Sequence, residues 1–504
     1  MNSLGKLFSV LLAIIIPAAI TFASVTPSSA QPSKVWVDDD YCEGCPNDGH
    51  TWGYDAFDEI QDGIDAVALP GAVHVAAGIY YENIILRDAV QVLGAGANAS
   101  TIDGGMNGSV VTASSVGPDT VLEGFKITNG TGTWRDSYTY GGGIYVSNSS
   151  SLIVRESIIT GNRASDGAGG IEAYDSTISL HNNNISQNSG WWGGAITLHG
   201  ADAEIVGNII DQNESYYGGA IFVADSSQAA IVNNQITGTS NPFYLSPGIG
   251  IGESSTADIM NNTIAGILGN GIATGTYEVD FGVGSATITN CILWGNDDDL
   301  VNLTATYSDI EDGDPGEGNI TADPLFVGSG DYHLTASSPC KDTGTSEGAP
   351  KYDIDGDPRP KGAGYDMGSD EYFPVNVFLT AGATVIPRGG TLALQATIAN
   401  NTDKAGIIRF ATKVTLPNEN PYPPSGYLFG PKEVTLNPYQ SKAGHFAHTI
   451  PMGAPLGTYM YHGYIGRPGM GIIDEDQFDF EVIEAPAAGG PEDWETILDR
   501  GFNE

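Results

Sequence analysis

Basic residues are scarce in this chain of 504 residues. It has 19 Lys and Arg against 61 Asp and Glu, a formal net charge of −42. Nucleic acids and anionic lipids call for basic surface, so neither is expected as a partner. The acid surplus suits an extracellular protein that meets cations such as calcium, or one that is simply kept soluble by charge. Cysteine is scarce too: only Cys42, Cys45, Cys291 and Cys340. Four cysteines without clustered histidines make a poor zinc site, and no thioredoxin-like pattern surrounds Cys42-Glu-Gly-Cys45. Two structural bridges, 42–45 and 291–340, are expected. Beyond the first 30 residues no apolar run is long enough to span a bilayer. Those residues themselves read as a secretory signal peptide. Lys6 is the positive start, Leu7 to Ile20 the apolar core, and Ser28-Ser29-Ala30 the cleavage site. The mature chain is expected to begin near Gln31, outside the cell or at its surface.

Glycine is plentiful, with 68 residues, and it marks a repeat. "YGGGIYVSN" from Tyr140, "GAGGIEAYD" from Gly167, "WWGGAITLHG" from Trp191 and "YYGGAIFVAD" from Tyr216 are copies of one pattern. Aligned on the isoleucine after the glycines, Ile144, Ile171, Ile196 and Ile221 follow at intervals of 27, 25 and 25 residues. A second ladder ends in asparagine: Asn162, Asn188 and Asn213, with weaker copies down to Asn296. Each copy holds short alternating Ile and Val runs between Gly, Asn and Ser, which is strand-and-turn chemistry. No apolar stripe of helical period runs through this region. About 25 residues with two or three short strands cannot bury their own apolar face, but stacked copies can. Parallel pairing between rungs about 4.8 Å apart is therefore predicted. Ile144, Ile171, Ile196 and Ile221 would point inward, as would Val146, Ala173, Leu198 and Val223. Tyr145, Glu172, Thr197 and Phe222 would point outward, followed by Ser147, Tyr174, His199 and Ala224. Turn asparagines would stack and satisfy backbone groups.

These rungs resemble the right-handed parallel β-helix proteins of the pectate-lyase-like superfamily. The entry stretch "VWVDDD" to "AVHVAAGIYYENIIL", with a short amphipathic helix over Asp58–Leu69, is similar to their first rungs. The exit stretch "ADPLFVGSGDYHLTASSPCKDTG" to "YDIDGDPRPKGAGYDMGSDEY" resembles the segment that closes many secreted bacterial β-helices. The resemblance spans residues 35 to 372 or so and implies the fold. It does not choose a chemistry, because the superfamily holds lyases, hydrolases, esterases, epimerases and inert adhesins. The predicted fold class is all-β. A signal peptide (1–30) precedes a right-handed parallel β-helix over 31–372, whose closing segment is 315–372. An immunoglobulin- or fibronectin-like β-sandwich follows over 374–484, where alternation lengthens. Residues 485–504 read as a flexible linker around Pro486–Pro491 and an acidic tail with one helical turn.

The aromatics beside the glycine pairs draw attention. Stacked rungs would place Tyr140, Trp191, Trp192, Tyr216 and Tyr217 in a column on one edge. Trp134 and Tyr138 lie in the loop before it, Tyr174 on the same face, and Phe243 and Tyr244 beyond. Pyranose rings stack on Trp and Tyr faces, and the rung spacing is close to one sugar unit, so a polysaccharide partner is expected. Alternatively the rings cap the edge of the solenoid. Two enzymatic readings use the same face. Glycoside hydrolysis would need two carboxylates, with Asp166 and Glu172 flanking the loop and Asp175, Asp211 and Glu214 near. By the family resemblance, a polysaccharide lyase would hold calcium on aspartates and use Arg or Lys as base. Arg163, or His199 by its own titration range, would then be the base, with Asp166 and Glu172 near the cation. The other basic candidates are Arg87, Lys126, Arg135 and Arg155. "DIDGDPRP" alternates Asp353, Asp355 and Asp357, but an EF-hand would need glutamate where Gly364 stands. It reads as a locking turn in which Arg359 pairs an aspartate, and Asp38-Asp39-Asp40 reads likewise as structural. No cofactor beyond calcium suggests itself. A binding or adhesive role, a carbohydrate-active enzyme and a structural envelope spacer all remain open.

Overall fold

A computed structural model describes residues 30–135, 137–238, 246–275, 282–328, 330–402, 404–467, 471–484, 493–500 and 502. The expected signal peptide up to residue 29, the linker around Pro486–Pro491, and Phe243 and Tyr244 lie outside the described residues.

Short Ile- and Val-rich strands build a solenoid of three parallel sheets, with twelve, ten and nine strands among the described residues. Registration follows the aligned isoleucines. Ile144 pairs with Ile171, Ile171 with Ile196, and Ile196 with Ile221. All four are fully buried. The ten-strand sheet carries a matching column through Ile159, Ile185, Ile210, Ile236 and Ile264. The twelve-strand sheet carries another through Val154, Leu180, Ile205, Ile231 and Ile259. The three columns meet in one continuous core, which is how rungs too small to stand alone become stable together.

Asparagines hold the corners. The Asn183 amide donates to Asn208 Oδ1 at 3.0 Å, Asn208 to Asn234 Oδ1 at 3.0 Å, and Asn234 to Asn262 Oδ1 at 3.0 Å. A second ladder runs from Asn162 through Asn188 to Asn213. Each amide also donates to a strand carbonyl of the preceding rung, so buried backbone groups at the bends are satisfied without water. One end of the core is closed by the helix Ile60–Ala66, whose Ile60 and Ile64 are buried. Its first N–H groups donate to the Glu82 carboxylate.

At the other end the chain turns back along the solenoid. A hairpin pairs Phe326–Gly328 with Asp331–Leu334. The following segment lies across a column of left-handed turn asparagines. Asn233 donates to the Tyr352 carbonyl, Asn261 to that of Asp366 and Asn290 to that of Thr345. "DIDGDPRP" is the turn that locks it. Asp353 accepts the N–H groups of Asp355, Asp357 and Glu371. Buried Arg359 pairs Glu371 at 3.2 Å, not an aspartate, and donates to the carbonyls of Asp366 and Gly368.

A four-strand antiparallel sheet and a six-strand sheet, antiparallel but for the edge strand Val385–Pro387, which runs parallel to Gly471–Ile483, then form the sandwich, around Phe410, Phe446, Tyr459, Tyr461, Phe480 and Phe502. Its first strand, Val375–Ala381, opens the smaller sheet. Three expectations are corrected here. The tail is not helical. Glu495–Arg500 is a strand paired with Ser441–Thr449, and Phe502 is fully buried in the core. The sandwich therefore extends beyond residue 484, because Phe502 fills space between its sheets. Cys42 and Cys45 are joined, but Cys291 and Cys340 are both buried and unpaired. The Cys291 thiol sits inside the solenoid and donates to the Ile259 and Thr289 carbonyls. Cys340 belongs to a separate apolar cluster under the closing segment and donates to Asp309 Oδ2 at 3.0 Å. Each thiol has its own acceptor. Among the described residues no helix is long and apolar enough to cross a membrane.

Candidate functional site

The glycine pairs mark where one rung touches the next too closely for any side chain. A Cβ on Gly169 would lie 2.4 Å from Ser189 N, and one on Gly218 would lie 2.4 Å from the Trp192 carbonyl oxygen. The residues just before the glycines are consequently pushed out to the edge of the nine-strand sheet. They hang from the rung before. Trp191 and Trp192 both donate their N–H to the Asp166 carbonyl, at 3.0 and 3.1 Å. Tyr216 and Tyr217 donate to the Trp191 carbonyl at 3.2 and 3.1 Å. The repeat thus stacks aromatic pairs in space as it stacks them in sequence. Trp191 lies face to face with Tyr216, centroids 4.9 Å apart and planes inclined by 22°, and edge-on to Tyr217 at 5.2 Å. Trp134 and Tyr138 stand on a small antiparallel hairpin, Thr133–Arg135 with Tyr138–Tyr140.

Exposure separates these rings into two groups. Trp134 is 71% exposed, Tyr138 52% and Trp191 36%. Tyr140, Tyr174, Trp192, Tyr216 and Tyr217 are half-buried. Trp192 has a packing role: it stacks on Phe222 at 5.4 Å and 13°, forming its own small apolar cluster.

That packing corrects the expected open face. Tyr145, Glu172, Thr197 and Phe222 do point away from the solenoid interior, yet all are buried. The loops before the glycine pairs fold back over this part of the sheet. Tyr145, Glu172, Thr197 and Phe222 stand in one register row beneath them. Arg135 spans the row, its guanidinium 4.3 Å from the Tyr174 centroid and donating to the Tyr145 hydroxyl at 3.4 Å.

Beneath the loops three titratable groups line up. Glu172 Oε1 lies 3.3 Å from His199 Nε2, and His199 Nδ1 lies 2.7 Å from Asp225 Oδ2. Glu172 is completely buried, His199 nearly so, and Asp225 opens to solvent. The other Glu172 oxygen accepts the Ala168 N–H at 2.5 Å. Burial pushes the Glu172 carboxyl up to about 7, opposed by the His199 charge and by N–H groups from Ala168 and Gly141. Burial by itself would lower His199. The hydrogen bond to Asp225 and the charges of Glu172, Asp225 and Asp166 outweigh it, and the imidazole sits above its ordinary value. Asp225 is held low by the same bond. Asp166 accepts the Tyr140 hydroxyl at 2.9 Å.

Of the four residues considered for catalysis, Glu172 and His199 come together and Asp166 lies in the loop above them. Arg163 stays apart: it is exposed, and its backbone pairs with Ser189 and Gly130. Asp225 was missed. It follows Ala224, the register partner of His199, so its place emerges only once the rungs are paired.

A second cluster lies at the closing segment. Ligand atoms of His333, Asp355 and Asp370 all lie within 4.8 Å of one another. His333 bridges carboxylates, Nε2 to Asp355 at 2.8 Å and Nδ1 to Asp331 at 2.5 Å. Burial would lower this imidazole, but Asp355 and Asp331 raise it well above the usual value. Bonded to an acid on each ring nitrogen, it serves as an ion-pair hub.

Residues 100–312 match the family model described as a right handed beta helix region. The solenoid is a right-handed β-helix. No curated protein matches the sequence. Among solved structures, the β-helix chain is similar to a tailspike protein, gp49, from Acinetobacter baumannii bacteriophage Fri1, a capsular polysaccharide depolymerase. Identity is 12%, coverage 93% of this chain and 82% of that one, and the TM-score 0.31. The enzymatically active domain of tailspike protein 2 from bacteriophage CBA120 is 12% identical over 84% of this chain and 74% of that one, with a TM-score of 0.29. A beta-glucosidase from Listeria innocua in complex with gluconolactone is 15% identical over 24% of this chain, at a TM-score of 0.16. The chain spans 17% of that protein's length.

Proposed function

We propose that this is an exported β-helix protein that binds polysaccharide along the aromatic edge of its nine-strand sheet. The observation that carries the reading is Trp191, exposed and stacked on Tyr216, with the exposed Trp134 and Tyr138 on the neighbouring hairpin. Exposed contiguous rings on a rigid scaffold are the surface that pyranose faces pack against. The sequence supports export through its apolar first segment, and the Cys42–Cys45 bridge suits an oxidising compartment.

Carbohydrate cleavage is the second reading, favoured by one observation: Glu172 titrates near 7, where a general acid works. Two features weigh against it. Glu172 is wholly covered by its loops. His199, held between two carboxylates that raise its affinity for a proton, is weakened as a base. A binding role therefore ranks first, and calcium-assisted elimination ranks above hydrolysis as an activity.

The test is to incubate the protein, with calcium and with EDTA, on polygalacturonate, alginate and a neutral β-glucan. Retention, reducing ends and the absorbance of unsaturated products are measured together. Retention without products is expected, lost in the Trp134→Ala/Trp191→Ala double variant at unchanged Tm. Calcium-dependent absorbance would establish the lyase instead. Silence in every channel would leave a structural spacer.

A further inference from the structure

The first rungs carry buried polar atoms that the protein itself leaves unanswered. Trp36, His74 and Leu93 are register partners on three neighbouring strands of the twelve-strand sheet and point away from the solenoid interior. His74 is 4% exposed, yet neither of its ring nitrogens has a hydrogen-bond partner among the described residues. Trp36 Nε1 is buried and unpartnered as well. The indole lies against the His50 ring, centroids 4.0 Å apart and planes inclined by 18°, and beside the His74 ring at 5.7 Å. Buried donors and acceptors left unmade cost stability, so this row of rings calls for a partner that the chain does not supply.

The same row floors a cavity of about 150 Å³ between the solenoid and the sandwich. Two residues further along the three strands stand Asp38, Ala76 and Ala95, and the small alanines leave the space open. The facing wall is the apolar edge of the sandwich, Val385, Pro387 and Ile483. The Lys34 ammonium holds this part of the sandwich to the solenoid through Glu481 at 2.7 Å. A third wall is the loop closed by the Cys42–Cys45 bridge, in which Asn47 accepts the Cys42 N–H and donates to the Cys42 carbonyl, each at 3.0 Å. That loop brings Tyr41, Asp48 and His50 to the cavity. A space of this volume takes about one six-membered ring.

Charge and hydrogen bonding narrow the occupant. Asp38, Asp48 and Glu484 line the cavity, and among the described residues neither Lys nor Arg does. Glu484 is shared with Arg388 at 3.4 Å and Lys34 is committed to Glu481, which leaves Asp38 and Asp48 to face a cation. Asp38 accepts the Asp40 N–H through one oxygen and Asp48 the Tyr41 hydroxyl through one. Burial holds the His74 imidazole below its ordinary value, so it stands neutral, with one nitrogen to donate and one to accept. A ligand hydroxyl answers both floor groups, donating to the imidazole and accepting the Trp36 N–H. A sugar ring suits the site poorly, because His50 occupies an indole face and the facing wall is apolar.

We propose that this cavity binds a small protonated amine with an apolar body of one ring, its ammonium meeting Asp38 and Asp48 and an oxygen at its far end meeting Trp36 and His74. The site stands on a different sheet from the aromatic edge and is independent of the glycan reading.

The experiment is calorimetric titration of the protein with tyramine and three relatives of it. Phenethylamine lacks the oxygen, tyrosol lacks the charge, and glucosamine replaces the apolar ring by a hydroxylated one. Tyramine is expected to bind with a dissociation constant of about 1 mM or below. Phenethylamine and tyrosol should each bind about tenfold more weakly, and glucosamine should give no saturable heat. In His74→Leu, tyramine and phenethylamine should bind alike, while the Tm without ligand stays unchanged or rises, because no protein hydrogen bond is lost. In the Asp38→Asn/Asp48→Asn double variant, tyramine should fall to the level of tyrosol. Asparagine keeps an acceptor oxygen at both places and tolerates the positive φ of Asp48. No saturable heat with tyramine would overturn the proposal, as would equal affinity for any of the three relatives. So would an undiminished preference for tyramine over phenethylamine in His74→Leu. If that variant does not fold, an unchanged tyramine affinity in the double aspartate variant overturns the proposal in its place.

Discussion

Asn208 is the sharpest place to test how the corners are held. It is fully buried. Its oxygen accepts the Asn183 N–H at 2.9 Å and the Asn183 side-chain amide at 3.0 Å. Its own amide donates to the carbonyls of Leu180 at 2.9 Å and Val206 at 3.1 Å, and to Asn234 Oδ1 at 3.0 Å. In Asn208→Ala the Asn183 N–H and the Leu180 carbonyl lose the partner this side chain provides. Each orphaned buried group costs about 1–3 kcal/mol, so a loss of about 4 kcal/mol is expected. The neighbouring Ile209, 39% exposed, is the control, and Ile209→Ala should cost about 0.5 kcal/mol. Urea midpoints with their m-values give the global figure. Native-state exchange at the 177–211 strands gives the local one, which is needed because stacked rungs need not unfold as one unit. A loss below about 1 kcal/mol in Asn208→Ala, with unchanged m, would refute the claim that the ladder satisfies these groups in place of water.

Two further outcomes follow from the burial of ionisable and thiol groups. Burial lifts Asp366 and Asp476 to about 7, so the folded chain binds their protons more tightly than the unfolded chain does. Stability should therefore fall as pH rises from 6.5 to 8.5, a window above the range where the depressed His74 and His448 titrate. A Tm that rises across that window would contradict it. For the thiols, no cysteine should react with a thiol reagent in the native protein. Two should react on unfolding without reductant, and four after reduction. No reactive thiol in the unfolded, unreduced chain would restore a 291–340 bridge.

The spacing of Ile144, Ile171, Ile196 and Ile221 carried the rung register, because in a parallel stack equivalent residues sit directly above one another and buried positions accept only apolar side chains. The asparagine ladders were legible for the same reason. The aromatic pairs were legible as a column but not in their exposure. Trp191 and Trp192 are adjacent and chemically alike, yet one faces solvent and the other covers Phe222. The strand alternation put Glu172 on an outward face, which is where it points. What it could not reveal is that three loops return over that face and convert a surface carboxylate into a buried one.

Local repetition, then, was determined by the sequence alone: the all-β solenoid, the inward columns and the edge where glycine pairs force neighbouring residues out. Long-range closure was decided only in three dimensions. The chain order does not show that Asp225 completes a line through His199 to Glu172, that Asn233, Asn261 and Asn290 receive the closing segment, or that Glu495–Arg500 returns to complete a sheet. The physical reason is the range of each interaction. Periodic burial is written into every rung. Hydrogen bonds and ion pairs between segments far apart in sequence depend on where the stack ends and how the chain folds back on it.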